Sequence, residues 1–415
     1  MTELLAVAEA RNRILRGLIA VEPELVSLNN CLNRVLSEEV ESHQDFPLFS
    51  HSGMDGFAVI AEDTAPIDKS AVTIKVIGDI PAGSFPEFSL KSGTAARIMT
   101  GAMLPGGADA VVPVENTDQY LKPKGGYLPD WVRINKPVLK GDNIRLKGQD
   151  IHAGQIVLDA NKRIKSQDIG LLALLGLTDV PVFRLPRIVI LTTGDELIPL
   201  GAPLRPGKIR DVNTYSISAL IRENGAEVIP LGIIPDEPAI IRQALHSAIA
   251  EKADLILTSA GISVGEFDYV KDIIEEKGSL EFWRVNMRPG KPIAFGKYQG
   301  IPIIGLPGNP VSTFICSLVF VVPAIKKLGG LPITLPTSIK AILAEDIESD
   351  GRESYLRAVV NQMDQKLFVK LTGHQGSGNI LSISQANSLL IVPSGVKSLP
   401  AGAEVTVWMI ADIVS

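Results

Sequence analysis

Cysteine is scarce in this chain of 415 residues, where only Cys31 and Cys316 occur. Two cysteines cannot build a disulfide framework, a four-cysteine zinc site or an all-cysteine iron–sulfur cluster. Aromatic residues make up 5% of the chain, which argues against a base-stacking surface for single-stranded nucleic acid. Basic residues number 40 against 46 acidic ones, and the resulting net charge of −6 also argues against a nucleic-acid-binding protein.

The sequence also lacks a secretion signal and a long apolar run. Glu9, Arg11 and Arg13 interrupt the apolar region that a signal peptide needs. The most apolar stretch, residues 314–325, is too short to cross a hydrocarbon core of about 30 Å, and we predict a buried helix there. These features predict a cytoplasmic protein that binds neither membranes nor nucleic acid.

Several familiar catalytic motifs are missing. The five histidines form no HExxH pair, and the glycine-spaced segment 78–84 lacks the lysine of a phosphate-binding loop. Residues 261–265 fit GxSxG, but Glu266 and Phe267 separate the serine from the next helix start. The only histidine further along, His374, falls in a different region of the chain. We therefore disfavour a serine hydrolase.

What is present is a change of pattern along the chain. Residues 186–331 alternate apolar strands with helices, which predicts a doubly wound, mostly parallel sheet with helices on both faces. The other regions predict a helical linker from 1–44 and 147–185, a β-rich inserted domain at 45–146, and a C-terminal β-barrel at 332–415. The predicted fold class is multidomain α/β plus β.

Candidate functional residues follow the strands of the α/β region. Ligands of open α/β sheets bind at the carboxyl ends of the strands, and turns there can point backbone N–H groups at an anion. Carboxylates at these turns suit Mg²⁺, which combines one or two protein carboxylates with phosphate oxygens and water. For Asp236 and Asp268, helix capping is an equally good explanation. The carboxylates near the predicted strand ends or helix starts are Asp195, Glu196, Asp211, Asp236 and Asp268.

Cations in glycine-containing turns complement these carboxylates. Residues 288–292 form a rigid turn that presents Arg288 and Lys291. Further cations lie near glycine turns or in polar loops: Arg97, Arg145, Lys147 and Arg357. Local cations among the glycine loops of an otherwise acidic protein are typical of a binding site for a small, multiply charged anion.

The loop sequences, taken together, resemble a known family. Residues 193–197, 263–269, 288–292 and 305–312 are similar to the molybdopterin-binding domain of molybdenum cofactor enzymes. Four further blocks narrow the resemblance to the molybdopterin molybdenumtransferase (MoeA-type) family: 52–59, 97–102, 143–150 and 372–377. The blocks cover nearly the whole chain in the order that the family has.

The resemblance implies a reaction and a set of partners. The family inserts molybdate into the dithiolene of adenylylated molybdopterin, uses Mg²⁺, and releases AMP and molybdenum cofactor. Its members are homodimers in which each cleft is shared between the α/β domain of one subunit and the inserted domain of the other. For this chain we therefore expect Mg²⁺, adenylylated molybdopterin, molybdate and a second copy as partners.

The resemblance also implies roles for individual residues. It implies catalytic residues at Asp55, Thr100, Glu196, Asp236 and Asp268. It implies Mg²⁺ ligands at Glu196, Asp236 and Asp268. It implies binding residues at Arg145, Asp150, Thr193, Asp195, Ser259, Gly261, Ser263, Lys291, Pro307, Pro310, Arg357 and Ser377. Of these, Asp55, Thr100, Arg145 and Asp150 would reach the cleft of the second copy.

Ala260 departs from the family pattern, because we expect a second glycine at that position. If the position needs a positive φ, alanine costs stability of order 1 kcal/mol. Two alternative functions stay open at this stage. A molybdopterin adenylyltransferase is similar in the α/β domain alone, and the C-terminal domain of gephyrin, which is also similar, serves as a scaffold.

Overall fold

The computed structural model describes residues 4–65, 71–120, 127–261 and 269–413. Within them the chain divides by contacts into two compact units. The inserted unit comprises Glu39–Asp159 and Leu174–Gly176, and the main unit comprises Met1–Glu38, Ala160–Ala173 and Leu177–Ser415. The four-domain boundaries given above stay a prediction.

The inserted unit is built on a five-stranded sheet, as its short β-type runs predict. The strand order is Ala110–Pro113, Gly56–Val59, Thr94–Ile98, Val72–Ile80 and Trp131–Ile134. Two short antiparallel ladders join Val40–Glu41 to Ile156–Leu158 and His51–Ser52 to Ile144–Arg145. Single 3₁₀ turns cover Ala61–Thr64 and Val114–Asn116. Two apolar clusters form the core of this unit, one of them containing Phe57, Val59 and Ile74.

The segments predicted as a helical linker contain more strand than their periodicity indicates. Each carries one helix, Val7–Arg16 and Ser166–Leu174, and a 3₁₀ turn covers Leu28–Asn30. Each also carries a strand, and these strands, Pro23–Ser27 and Asp179–Phe183, pair with each other in antiparallel register. The two strands lie more than a hundred residues apart in sequence, so local periodicity carries no signal for their pairing.

The α/β region forms a six-stranded sheet, as predicted. The strand order is Glu227–Ile234, Arg187–Thr193, Leu255–Ser259, Ile301–Leu306, Ala294–Tyr298 and Gly278–Trp283. The first four of these strands run parallel, and the last two pair antiparallel. Every residue of Leu255–Ser259 is buried, which is typical of a parallel strand covered on both faces. A short parallel ladder follows the strand Arg187–Thr193 and pairs Leu197–Ile198 with Ile209–Arg210.

Helices cover both faces of this sheet and complete a doubly wound fold. On one face pack Pro238–Ala250 and Tyr269–Lys277. On the other pack the N-terminal helix, Asn213–Glu223 and a helical stretch that begins at Pro310. That stretch consists of Pro310–Cys316, a π-helical segment Ser317–Val321 and Val322–Leu328.

The stretch Pro310–Leu328 is the one helix, among the described residues, that is long and apolar enough to cross a membrane. However, 78% of its most apolar window is buried inside the protein, as in the core helix of a soluble protein. The prediction of a buried helix at 314–325 is therefore confirmed.

The C-terminal region closes into a five-stranded barrel. Its strands are Glu353–Met363, Lys366–Leu371, Ser338–Leu343, Glu404–Met409 and Ser388–Val392, and the last of these pairs back to the first. The short strand Met287–Arg288 of the α/β region adds to this sheet. Ile347–Glu348 pairs with Ser398–Leu399, and Leu381–Ser384 forms one short helix. Tyr355, Leu389 and Trp408 share the core cluster of the α/β sheet, so barrel and sheet pack as one body.

Candidate active site

A cavity of about 360 Å³ opens at the carboxyl edge of the α/β sheet. Three parallel strands, Arg187–Thr193, Leu255–Ser259 and Ile301–Leu306, end at it. Several predicted site residues line this cavity: Thr193, Glu196, Ser259, Gly261, Pro307 and Pro310. The expectation that the strand-end turns meet at one edge is therefore correct.

The turn after the strand Arg187–Thr193 places carboxylates close together. Gly194 has a φ of +147°, which favours glycine, and a Cβ there would lie 2.7 Å from Oε2 of Glu196, so a larger residue would displace the glutamate carboxylate. The backbone N–H groups of Asp195 and Asp236 each donate to the carboxylate of the other residue, at 3.3 Å. Burial, and then the nearby charges of Asp195 and Glu196, raise the pKa of Asp236.

Asp236 does not cap the following helix, although helix capping was an equally good explanation of the sequence. The helix begins at Pro238, and its N-cap is Glu237. Asp236 instead accepts a hydrogen bond from the neighbouring turn. This contact between two loops is tertiary, so the local cap pattern could not distinguish it from capping.

The turn after the central strand is tightly packed. Ala260 adopts a φ of +76°, so the position does need the left-handed conformation that the missing glycine suggested. Gly261 follows with a φ of +74°, and a Cβ there would lie 2.6 Å from Cγ2 of Val270. The methyl group of Ala260 fills space opposite Gly308, where an added Cβ would lie 3.2 Å away. The predicted site residues Ser263, which is also the GxSxG serine, and Asp268 lie outside the described residues.

Sequence reasoning missed Asn213, which connects two of these turns. Its Nδ2 donates to Oγ of Ser259 at 2.7 Å and to the carbonyl of Gly308 at 2.8 Å. Asp211, also buried, caps the same helix by accepting from the Thr214 N–H at 3.1 Å. The bridge depends on two strand ends that only the fold brings together.

The turn after Ile301–Leu306 leads directly into a helix. Pro310 is its first residue and Asn309 its N-cap, as predicted, although the Asn309 side chain makes no capping hydrogen bond. The next backbone N–H, that of Val311, donates to the carbonyl of Ser377 at 3.0 Å. The predicted binding residue Ser377 of the barrel region therefore lies against the cavity wall.

The predicted cations are of two kinds. Lys291 is exposed, and the next residue, Pro292, lines the cavity. Gly290 before it packs against Cys316, since a Cβ at Gly290 would lie 2.3 Å from that sulfur. The loop that carries Lys291 is thus pressed onto the buried helix.

Arg357 is buried, with 1% of its surface exposed. Its Nε donates to Oγ of Ser382 at 3.0 Å, and its Nη2 donates to the carbonyl of Gly376 at 3.1 Å. Among the described residues no carboxylate is found in hydrogen-bonding contact with this side chain. Burial, and then the charge of Arg288, lower its pKa to about 10, so the group stays a cation at neutral pH. A buried cation without a carboxylate is costly unless an anion joins it.

The inserted unit brings its own predicted residues together in two pairs. Asp55 accepts hydrogen bonds from the backbone N–H and the hydroxyl of Thr100, both at 2.8 Å. Arg145 donates to both carboxylate oxygens of Asp150, at 3.2 and 3.1 Å. Both pairs are exposed on this unit.

Within the described ranges, no group of three or more histidines, cysteines or carboxylates is gathered so that it could hold a metal ion. Near the cavity, Glu196 and Asp236 bring two carboxylates into one neighbourhood, and the charge of Glu196 contributes to the raised pKa of Asp236 after burial and the charge of Asp195. A site for a cation that relies on ligand phosphate needs no more than one or two such groups.

The fold and the cavity together define a class: a multidomain α/β protein with a cavity at the carboxyl edge of its sheet. Residues 5–176 match the family described as MoeA N-terminal region (domain I and II), residues 189–327 a probable molybdopterin binding domain, and residues 340–410 the MoeA C-terminal region (domain IV).

Known proteins resemble the chain over nearly its full length. A molybdopterin molybdenumtransferase of Nostoc sp. is 38% identical over 93% of this chain and 88% of the relative, and one of Haemophilus influenzae is 34% identical over 97% and 98%. The crystal structure of a molybdopterin biosynthesis MoeA protein from Pyrococcus horikoshii superposes with a TM-score of 0.85, at 31% identity over 98% of this chain and 99% of that one. The chain belongs to the MoeA family of molybdopterin molybdenumtransferases.

Proposed function

We propose that the chain inserts molybdate into adenylylated molybdopterin in the cavity at the carboxyl edge of its sheet, and releases AMP. Its relatives across nearly the full length are named molybdopterin molybdenumtransferase, and residues 189–327 match a probable molybdopterin binding domain. That coverage does not favour the two alternatives, an adenylyltransferase and a scaffold. We also propose that the protein works in the cytoplasm.

The observation that carries the proposal is the buried, carboxylate-free cation Arg357 close to the cavity. The carbonyl of Gly376 accepts from Arg357, and the carbonyl of the next residue, Ser377, accepts from the helix that starts at the cavity wall. Arg288 adds a second positive charge. Arg288 is paired with Asp350 at 3.8 Å, so a doubly charged oxyanion such as molybdate would mainly offset the charge of Arg357, and Lys291 can approach it from the exposed loop.

Mg²⁺ would be held by Glu196 and Asp236, with Asp268 as a further ligand. Burial, and then the charges of Asp195 and Glu196, raise the pKa of Asp236, and a dication beside these oxygen ligands would offset both effects, so the donor set fits Mg²⁺. When bound, Mg²⁺ neutralises charge on the phosphate oxygens of the substrate.

The residues of the chain itself contribute binding and orientation. Ser259 accepts from Asn213 with its Oγ and so keeps its own hydrogen free to donate to a phosphate oxygen. Both cysteines are buried, and burial raises the pKa of each thiol, so neither serves as a thiolate nucleophile. Phosphate cleavage in such a site depends on positioning and on charge stabilisation.

We propose further that Asp55, Thr100, Arg145 and Asp150 act in the cleft of a second copy of the chain. The Asp55–Thr100 and Arg145–Asp150 pairs are exposed and preformed on the inserted unit. Apolar side chains are exposed on the segments that flank the second pair: Leu48, Phe49 and Leu146. Exposed apolar groups around polar pairs are typical of an interface.

An assay of AMP release tests the function. The purified protein is given adenylylated molybdopterin with molybdate, with and without Mg²⁺, and we expect AMP only when all are present. Chloride in place of molybdate is the control. Synthesis of adenylylated molybdopterin from ATP and molybdopterin would instead indicate the adenylyltransferase, and no AMP from a stable dimer would indicate the scaffold.

A further inference from the structure

The loop that carries Lys291 is closed by two backbone hydrogen bonds. The Arg284 N–H donates to the carbonyl of Ile293 at 3.0 Å, and the Val285 N–H donates to the carbonyl of Lys291, also at 3.0 Å. We refer to residues 284–293 as the cationic loop. Because the second bond involves Lys291 itself, the conformation at Arg284 and Val285 helps to fix the backbone of Lys291, which precedes the cavity residue Pro292.

Arg284 begins this loop in a strained conformation. Its φ is +83°, in the left-handed region that an arginine rarely adopts. Such strain persists only where the surroundings hold the residue in place, and it concentrates at functional sites. Something in the structure must therefore hold Arg284.

The ring of Trp283 is positioned to do so. The guanidinium carbon of Arg284 lies 3.9 Å from the centre of this ring, and Nζ of Lys271 lies 4.9 Å from it. A cation this close to an indole face gains energy comparable to the cost of one left-handed residue. The stack can therefore offset the strain at Arg284.

The middle of the cationic loop is held by other contacts. The Asn286 N–H donates to the carbonyl of Leu5 at 2.8 Å, and Met287–Arg288 pairs with the barrel strand. These contacts fix the position of Arg288 but do not involve Lys291. The Trp283–Arg284 stack thus acts on the lysine side of the loop.

We propose that Trp283 and Arg284 form a positioning clamp: the stack holds Arg284 in its left-handed conformation and thereby sets Lys291 for an oxyanion at the cavity. The inference rests on the proposed function, in which Lys291 approaches molybdate. Neither clamp residue touches the substrate, so loss of the clamp affects the binding of molybdate more than the chemical step.

The test measures AMP release as a function of molybdate concentration, together with amide hydrogen exchange of the peptide that covers the cationic loop. In Arg284→Ala we expect the KM for molybdate to rise about tenfold, with kcat within about twofold of the unsubstituted protein. The loop peptide should exchange faster. Arg284→Lys keeps a cation over the ring and should recover most of the loss in KM.

Lys271→Ala is the matched control, because it removes the other cation from the same ring without touching the loop. Its KM and loop exchange should stay as in the unsubstituted protein. The clamp is wrong if Arg284→Ala leaves KM and exchange unchanged, or if Arg284→Lys is as defective as Arg284→Ala at equal melting temperature. Faster exchange with an unchanged KM overturns the link to Lys291. Absence of AMP release from the unsubstituted protein contradicts the proposed function, and hydrogen exchange still decides whether the stack holds the loop.

Discussion

The two edges of the α/β sheet differ in whether their charged side chains have partners of opposite charge. At the amino edge, Arg184 donates to both carboxylate oxygens of Asp254 and to Glu22, each at 2.7 Å. At the carboxyl edge, Asp236 lies among other carboxylates, and Arg357 is buried beside Arg288. The first edge pairs its charges, whereas among the described residues Asp236 and Arg357 of the second have no ion-pair partner, and only Arg288 has one, Asp350 at 3.8 Å.

This difference separates stability from function within one sheet. Paired charges with good geometry support the fold, whereas uncompensated ones lower its stability and persist where a ligand makes use of them. Substitutions at the amino edge should therefore change stability and spare turnover. Those that remove a charge at the carboxyl edge should lower turnover and leave stability unchanged or raise it.

The largest effect should come from Glu196→Gln at the carboxyl edge. Loss of the carboxylate removes charge needed for Mg²⁺, and we expect AMP release to fall about a hundredfold or more. Circular dichroism should show an unchanged fold and melting temperature. Unchanged AMP release in this variant would remove Glu196 from the catalytic site.

Asp254→Asn is the counterpart at the amino edge. It weakens the paired contacts with Arg184 and the hydrogen bond from the Arg187 N–H at 2.7 Å, so we expect a loss of about 2 kcal/mol in unfolding free energy. Urea unfolding measures the loss, and AMP release at 25 °C should stay within about twofold. A variant that is as stable as the unsubstituted protein but turns over poorly would break the comparison.

A smaller gain is expected from Ala260→Gly, in the turn at the cavity. Glycine relieves the left-handed strain and should raise the unfolding free energy by about 1 kcal/mol. Gly261→Ala, one residue further on, is the matched control and should destabilise the protein, because its Cβ would meet Val270. Equal melting temperatures for both variants would show that the strain at Ala260 is relaxed by other means.

The smallest effect concerns Asp236→Asn and depends on pH. Because the folded state raises the pKa of Asp236, its stabilising contribution is full below the unfolded pKa of about 4 and is lost as the pH rises through the folded value. Asparagine does not ionise, so the Asp236→Asn variant does not lose stability in this way as the pH rises. Its melting temperature should equal that of the parent near pH 4 and exceed it at pH 7.

Addition of Mg²⁺ at pH 7 sharpens the Asp236→Asn test. We expect the ion to raise the melting temperature of the parent and to have a smaller effect on the variant. A variant less stable than its parent at pH 7 would mean that the hydrogen bond from Asp195 outweighs the repulsion.

Local patterns in the sequence predict much of this edge. The turns at Thr193–Glu196, Ser259–Gly261 and Pro307–Pro310 follow apolar strands, and parallel strands bring their ends together. The family resemblance, which has a glycine at position 260, raised the possibility of the left-handed φ found at Ala260. These features depend on a few consecutive residues.

Contacts between distant segments could not be predicted. The Asn213 bridge joins loops almost fifty and almost a hundred residues further along the chain. The burial of Arg357 depends on how the barrel packs against the sheet, and the role of Asp236 depends on a second loop. In each case a residue's environment comes from the fold and not from its sequence neighbours.

The antiparallel pair Pro23–Ser27 and Asp179–Phe183 has a consequence for synthesis on the ribosome. The first strand emerges long before its partner, and Glu39–Asp159 lies between them. The intervening unit has its own apolar cores, so it can fold while Pro23–Ser27 is still unpaired. In the nascent chain, the main unit can therefore be completed only when Pro23–Ser27 pairs with Asp179–Phe183, after the inserted unit has folded.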